Sequence, residues 1–245
     1  MIAANPATLS TRFRDLFTAG VVAAELRAAG DPALLLPTEA SHLGHAVPKR
    51  IQEFAAGRLC ARRAMAELGI RDFALRAADD RQPVWPDGIV GSITHTAGLC
   101  VAVAAEKRLV AALGIDSEVV GEVTGDIWPT ICGPGEQAWL DLLPAQERAA
   151  GITLIFSAKE AFYKCQYPIA GERLNFHDLF IEPVAWGGAG AAFKVHATRR
   201  LKFAEHAVLP MVGQYLFHEQ FVSAGLALPA AAALPVSKPC RREIS

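Results

Sequence analysis

Apolar residues at positions 51, 54, 61, 65 and 68 recur at helical spacing behind Pro48 and stop at Gly69, which predicts a helix over residues 49–69. The position that completes this stripe is Arg58, with Arg50 two turns earlier and Phe54 between them. Residues 11–29 read as an amphipathic helix and residues 32–36 as a short strand closed by Pro37. Further along, residues 73–76, 89–94, 99–105 and 110–115 read as strands, with turns at 79–83 and 85–88 and a tight connection at His95-Thr96-Ala97-Gly98. Residues 134–142 and 152–166 read as helices. Strands are predicted at 180–184, 192–198, 214–217 and 221–227.

Helices followed by a few antiparallel strands therefore occur twice, which predicts an α+β fold of two similar lobes related by a pseudo-twofold, with the site in the cleft between them. The expected division is an N-terminal lobe over residues 1–112, a C-terminal lobe over 113–228, and a flexible alanine- and proline-rich tail over 229–245. No sequence repeat accompanies this likeness.

The 24 basic and 25 acidic residues nearly cancel. A broad nucleic-acid surface, which needs net positive charge, is not expected; phosphate binding would be local. Five scattered cysteines without a CxxC pair support neither a zinc site nor a disulfide framework and suit a reducing cytosol. The start of the chain does not read as a signal peptide, and no apolar run reads as a membrane span. The expectation is a cytoplasmic monomer. His42 and His45 have metal-like spacing but no third ligand nearby, and are read as surface residues.

The chemistry concentrates in two places. Asp116 and Glu118 sit one residue apart at a strand end, where extended chain puts both carboxylates on one side, roughly 7 Å apart at Cα. That suits two oxygen ligands on one Mg²⁺. Phe156-Ser157-Ala158-Lys159-Glu160-Ala161-Phe162-Tyr163-Lys164 sets one acid and two lysines in an apolar helix, Glu160 and Lys164 sharing a face. Ser157 and Glu160 also match a capping box, but the apolar pattern already runs through Ser157, so no helix start is needed there. An inward Arg58 suits a phosphate, whose oxygens its fork matches. Gly91-Ser92-Ile93-Thr94-His95-Thr96 presents hydroxyls and one histidine at a strand end.

Taken in order, these blocks resemble the Sfp/EntD-type 4′-phosphopantetheinyl transferases, nearest the enterobactin-synthetase-component-D branch. The blocks are Lys49-Arg50-Ile51-Gln52-Glu53-Phe54-Ala55-Ala56-Gly57-Arg58, then Trp85 to Thr96, then Gly114-Ile115-Asp116-Ser117-Glu118, then Phe156 to Lys164 with Tyr167-Pro168 and Leu174-Asn175-Phe176. The resemblance covers about residues 30–185. It implies coenzyme A as substrate and transfer of its phosphopantetheine arm to a serine of an acyl, peptidyl or aryl carrier protein, releasing adenosine 3′,5′-bisphosphate. It implies that Asp116, Glu118 and Glu160 hold Mg²⁺ against the pyrophosphate, and that Lys159 and Lys164 neutralise phosphate charge. By the same resemblance Arg50, Arg58, Thr94 and His95 bind the 3′-phosphate and adenosine end, Arg81 reaches the nucleotide, and Leu174 lines the pantetheine path. Asp116, Lys159 and Glu160 are the expected catalytic residues. Either Glu160 or a metal-bound water takes the serine proton; the sequence leaves both open.

The expected setting is polyketide, nonribosomal peptide or siderophore assembly, with Arg62, Arg63 or the loop 121–135 meeting the carrier. Two other readings use the same residues: a Mg²⁺-dependent nucleotide pyrophosphate hydrolase, and a non-catalytic module binding coenzyme A or the carrier.

Overall fold

Two antiparallel sheets, each backed by one long helix, make up the structure. It is a computed structural model that describes residues 7–17, 20–41, 43–44, 46–188 and 190–230. His42, His45 and the tail beyond Ala230 lie outside the described residues. The first sheet contains β1 (Thr8–Leu9), β2 (Val21–Leu26), β3 (Ile89–Thr96) and β4 (Leu99–Glu106), in the order β1-β2-β4-β3. Between β1 and β2 lies α1 (Thr11–Arg14). Between β2 and β3 lie α2 (Pro37–Ala40) and α3 (Pro48–Glu67). The second sheet contains β5 (Val110–Val119), β6 (Leu179–Pro183), β7 (Ala192–Ala197), β8 (Met211–His218) and β9 (Phe221–Pro229), in the order β5-β9-β8-β7-β6. The helices α4 (Trp128–Ile131), α5 (Pro134–Leu142) and α6 (Arg148–Ala170) lie between β5 and β6.

The arrangement β2, α2, α3, hairpin β3–β4 is thus repeated as β5, α5, α6, hairpin β8–β9, and the strand order β2-β4-β3 matches β5-β9-β8. The likeness extends to single atoms. Glu39 and Glu136 are each the third residue of a short helix opened by proline, and each is fully buried. Each accepts the backbone N–H three residues before it, Leu36 N at 3.0 Å and Gly133 N at 2.9 Å. Each pairs with a cation twenty-three residues later, Arg62 and Lys159. Each of those cations also donates to the carbonyl five residues before its glutamate, Leu34 and Ile131. The repeat is visible in structure and hidden in sequence because few residues beyond the proline and the glutamate are shared.

Four expectations change. Residues 11–29 are not one helix: α1 is a single turn, Gly20 takes a left-handed φ of 94°, and residues 21–26 are a strand. That alanine-rich stretch suits either element, and pairing with β4 decides it. Residues 32–34 form a 3₁₀ turn, with the Asp31 side chain accepting from Ala33 N. Residues 73–76 form no strand; a single bridge joins Ala77 to Pro83 nearby. The strand expected to end at Ile115 continues through Val119, because β9 pairs along its whole length, so Asp116 and Glu118 lie inside the sheet opposite Ala224 and Val222.

The long helix α6 buries Ile152, Leu154, Ile155, Ala158, Ala161, Phe162 and Cys165 against the second sheet. Each large side chain buried this way contributes about 1.5–3 kcal/mol. Helix and strand meet at Gly114: a Cβ there would fall 1.9 Å from the Ala161 carbonyl oxygen. Only glycine permits that approach, and it brings β5 and α6, the carriers of Asp116 and Glu160, together. No helix among the described residues is long and apolar enough to cross a membrane.

Candidate active site

The sheets meet where their edge strands β3 and β5 run side by side. Edge backbone groups need partners, and here side-chain hydroxyls supply them. Ser92 Oγ accepts from Ile115 N at 3.2 Å, and Thr94 Oγ1 accepts from Ser117 N at 3.1 Å. Thr94 in turn donates to Asp116 Oδ1 at 3.2 Å. Thr94, an expected contact of the ligand's phosphate end, is 3 % exposed and bonded into this seam.

Asp116 is 3 % exposed. Its Oδ1 also accepts from Lys164 Nζ at 2.7 Å, and the same ammonium reaches the Ile115 carbonyl at 3.3 Å. Its Oδ2 is buried without any hydrogen-bond partner. The carboxyl of Glu118 is pushed up to about 8, first by burial and then by the charge of Asp116, with Lys164 opposing. Glu160 is pushed up by burial and Asp116 in the same way. Three hard oxygen donors thus crowd one another with one lysine among them, a set short of positive charge, and Mg²⁺ fits that deficit in type. They are not drawn into a finished cage: among the described residues no three His, Cys, Asp or Glu side chains are gathered to hold a metal as they stand.

Lys159 borders the same concavity as Glu160, but its ammonium is turned into the protein. It is 1 % exposed, and Nζ donates to Ile131 O at 2.7 Å, Glu136 Oε2 at 2.7 Å and Phe176 O at 2.9 Å. An ammonium has three protons, so the expected phosphate contact has no donor left in this arrangement. Burial pulls its pKa down while Glu136 holds it up.

Among the described residues three concavities open beside β3 or α6, the second of them lined by Glu160. The largest, of ≈ 900 Å³, lies between β3, β5 and α6 and takes in Arg81, Trp85, Tyr163, Lys164 and Arg173. Arg81 itself sits in a tight turn with φ 72°. The second, of ≈ 380 Å³, is lined by Glu160, Tyr163, Leu174, Asn175 and Phe176. Tyr163 belongs to both and forms the partition. The third, of ≈ 160 Å³, takes in Lys49, Glu53 and His95. At its edge Arg50 Nη1 lies 3.0 Å from His95 Nε2 and 3.6 Å from Glu53 Oε2. Burial pulls the His95 pKa down, with Glu53 opposing.

Arg58 is 6 % exposed, lies 3.8 Å over the Phe54 ring, and donates from Nε to Leu75 O at 2.9 Å. Desolvation lowers its pKa to about 10; Glu39 opposes this, and Arg50 and Arg62 push the same way as burial. A buried guanidinium crowded by two others is a place where an anion would be favourable.

Sequence reasoning missed Glu39 and Glu136, the buried acids that hold the two long helices. Their signal was present as a glutamate two residues after a proline at a helix start.

Known proteins show the same architecture of sequence. The 4′-phosphopantetheinyl transferase N-terminal domain matches residues 38–105, and the 4′-phosphopantetheinyl transferase superfamily matches residues 112–218. The chain is 41 % identical over 159 residues to the 4′-phosphopantetheinyl transferase Svp of Streptomyces mobaraensis, an alignment covering 63 % of this chain and 65 % of that protein. It is 33 % identical over 166 residues to the transferase Npt of Nocardia iowensis, covering 68 % and 74 %. Enterobactin synthase component D of Salmonella typhimurium is 40 % identical over 120 residues, covering 47 % and 48 %. The matched stretches contain both edge strands, the three carboxylates and the helix of Lys164, and with them the chain belongs to the 4′-phosphopantetheinyl transferase superfamily, in its Sfp/EntD type.

Proposed function

We propose that this chain moves the 4′-phosphopantetheine arm of coenzyme A to a serine of an acyl, peptidyl or aryl carrier protein, with Mg²⁺. The serine oxygen forms a bond to the β-phosphorus, the bond from that phosphorus to the bridging oxygen breaks, and adenosine 3′,5′-bisphosphate leaves. The observation that carries this reading is Asp116: a buried carboxylate with one oxygen held by Thr94 and Lys164 and the other without a partner, beside two carboxyls whose pKa values are raised by burial and by the charge of Asp116.

Asp116, Glu118 and Glu160 would hold the cation, which when bound supplies Lewis-acid polarisation of the pyrophosphate. Lys164 is 29 % exposed and can turn from Asp116 to a phosphate oxygen. Arg50, Arg58 and His95 take the 3′-phosphate and nucleotide end, with Arg81 across the large cleft. Leu174 lines the path of the arm. Glu160 takes the serine proton, directly or through a water. Buried free thiols at Cys60, Cys100, Cys132 and Cys165 suit a reduced, cytoplasmic setting.

Incubation with coenzyme A, Mg²⁺ and a panel of apo carriers tests the reading by intact-mass spectrometry. A carrier should gain the mass of one arm. Release of bisphosphate with no carrier modified would indicate a hydrolase, and coenzyme A binding with neither product a binding module; either overturns the transferase reading.

A further inference from the structure

Glu136 is a buried acid that the reaction above does not use. It is 1 % exposed and lies on α5, the helix before α6. Its Oε2 accepts from Gly133 N and Lys159 Nζ, and its Oε1 accepts from Ile181 N at 2.8 Å. Capping α5 needs only the first of these bonds, and a glutamine could provide it. Burying an ion pair is costly, and an apolar pair of similar volume often serves stability as well. The charged pair does something an apolar pair cannot: one ammonium ties together three elements, through Ile131 at the end of α4, Glu136 on α5 and the Phe176 carbonyl beyond α6.

Phe176 is where this joint meets the site. With Leu174 and Asn175 it forms one wall of the ≈ 380 Å³ concavity that Glu160 and Tyr163 face. Glu160 follows Lys159 directly, about 100° around the helix, and both line this concavity, so anchoring Lys159 also fixes how Glu160 is presented. The wall is tied from its outer side too, where Arg199 grips Glu172 at 2.8 Å and Asp178 at 2.8 and 2.9 Å, and Asp178 accepts from Asn175 N. The only charge holding the wall from inside, among the described residues, is Lys159, and Lys159 is held by Glu136.

We propose that Glu136 is a positioning residue: through Lys159 it sets the Leu174–Phe176 wall against which the pantetheine arm packs, without touching the substrate. This rests on the transferase reading above. The role predicts a selective effect. Coenzyme A carries the arm; adenosine 3′,5′-bisphosphate has the same nucleotide and 3′-phosphate but no arm. A general loss of structure would weaken both ligands, and a displaced wall only the first.

The test is calorimetric titration of the full chain in Mg²⁺ buffer with each ligand, for the unaltered protein, Glu136→Gln and Lys159→Met. Each variant should bind coenzyme A about tenfold more weakly while bisphosphate affinity stays within about twofold. The double variant should be no worse than either single one, since the two residues act through one contact. Equal weakening of both ligands, unchanged coenzyme A affinity, or additive losses in the double variant would each overturn the positioning role and leave the transferase reading standing. If Glu136→Gln does not fold, Lys159→Met carries the same comparison by itself. An unaltered protein that bound neither ligand would overturn the transferase reading and this role together.

Discussion

Thr94 on the first sheet donates its hydroxyl to Asp116 on the second, 3.2 Å away, and accepts the Ser117 N–H at 3.1 Å. Beside Ser92, which accepts from Ile115 N, this one side chain both bridges the seam between the two sheets and orients the Asp116 carboxylate. Thr94→Val keeps the shape and removes both bonds. An unpaired buried N–H costs about 1–3 kcal/mol, so thermal unfolding should shift down, and the transfer rate should fall further than stability alone explains because Asp116 is freed to rotate. Thr94→Ser should recover most of both. A valine variant with unchanged rate and melting temperature would show that the seam does not depend on this hydroxyl.

Gly114 makes the second close approach. A Cβ there would lie 1.9 Å from Ala161 O and 2.9 Å from Cys165 N, both backbone atoms of α6 that cannot swing aside. Gly114→Ala must push α6 off β5, and overpacking of this kind costs about 1–3 kcal/mol or more. Denaturant unfolding should show that loss. Because the displaced helix carries Glu160 and Lys164, activity should fall even under conditions where the variant remains folded.

The parts of the fold that sequence reveals are those with local causes. Pro48 and Gly69 bracket α3, Pro134 opens α5, and the glycine turn at 98 closes the β3–β4 hairpin. The acids at 116, 118 and 160 were legible because charge in apolar surroundings needs a reason. Which way Lys159 points was not legible: neighbours on a helix diverge by about 100°, and its acceptors Ile131, Glu136 and Phe176 come from three separate segments. The strand at 21–26 was equally hidden, since alanine-rich sequence fits a helix and only β4, nearly eighty residues later, selects the extended form. The seam bonds of Thr94 were hidden too, because its partners Asp116 and Ser117 lie on another sheet.

A hydrogen-bonded line runs beneath the acids. Arg12 can only donate, so His218 Nδ1, 3.4 Å away, is the acceptor and Nε2 carries the proton toward Ser223 Oγ at 3.0 Å. Ser223 Oγ lies 2.6 Å from Ser117 Oγ. Burial, Arg12 and Arg27 lower the His218 pKa to about 4, against opposition from Glu219 and Glu25. Between pH 6.5 and 4 the unfolded chain binds this proton and the native one does not, so stability falls as pH drops through that window, by at most about 3 kcal/mol. His95 contributes in the same direction. Glu118 and Glu160, whose pKa values are raised, act in the opposite sense over this window, so the check is a difference: relative to the unaltered chain, His218→Gln should gain melting temperature as pH drops from 6.5 to 4.5, above the range where the ion-paired Glu172 and Asp178 titrate. An unaltered slope would mean that His218 is protonated without cost.

Arg58 is buried and Arg81 exposed, and their variants should fail differently. Arg58 is buried over Phe54 and braced on Leu75, with Arg50 and Arg62 adding positive charge. Arg58→Ala should raise the KM for coenzyme A strongly and that for dephospho-coenzyme A little, because only the former has a 3′-phosphate to lose. It should also cost some stability, since the guanidinium bridges α3 to Leu75. Arg81, on a solvent-facing turn, should raise KM modestly for both. Equal sensitivity of the two substrates to Arg58→Ala would move the 3′-phosphate away from this arginine.

A ligand that binds only the native state raises its melting temperature in proportion to the logarithm of its concentration above Kd. Millimolar Mg²⁺ should therefore stabilise the unaltered chain, more so with coenzyme A present. Asp116→Asn keeps an acceptor for Thr94 and Lys164 but removes the charge that Oδ2 offers, so the Mg²⁺ response should vanish and transfer with it. The resting fold should change little, because the same substitution relieves the repulsion that Asp116 exerts on Glu118 and Glu160. A variant that kept its Mg²⁺-dependent rise in melting temperature would place the cation on other oxygens.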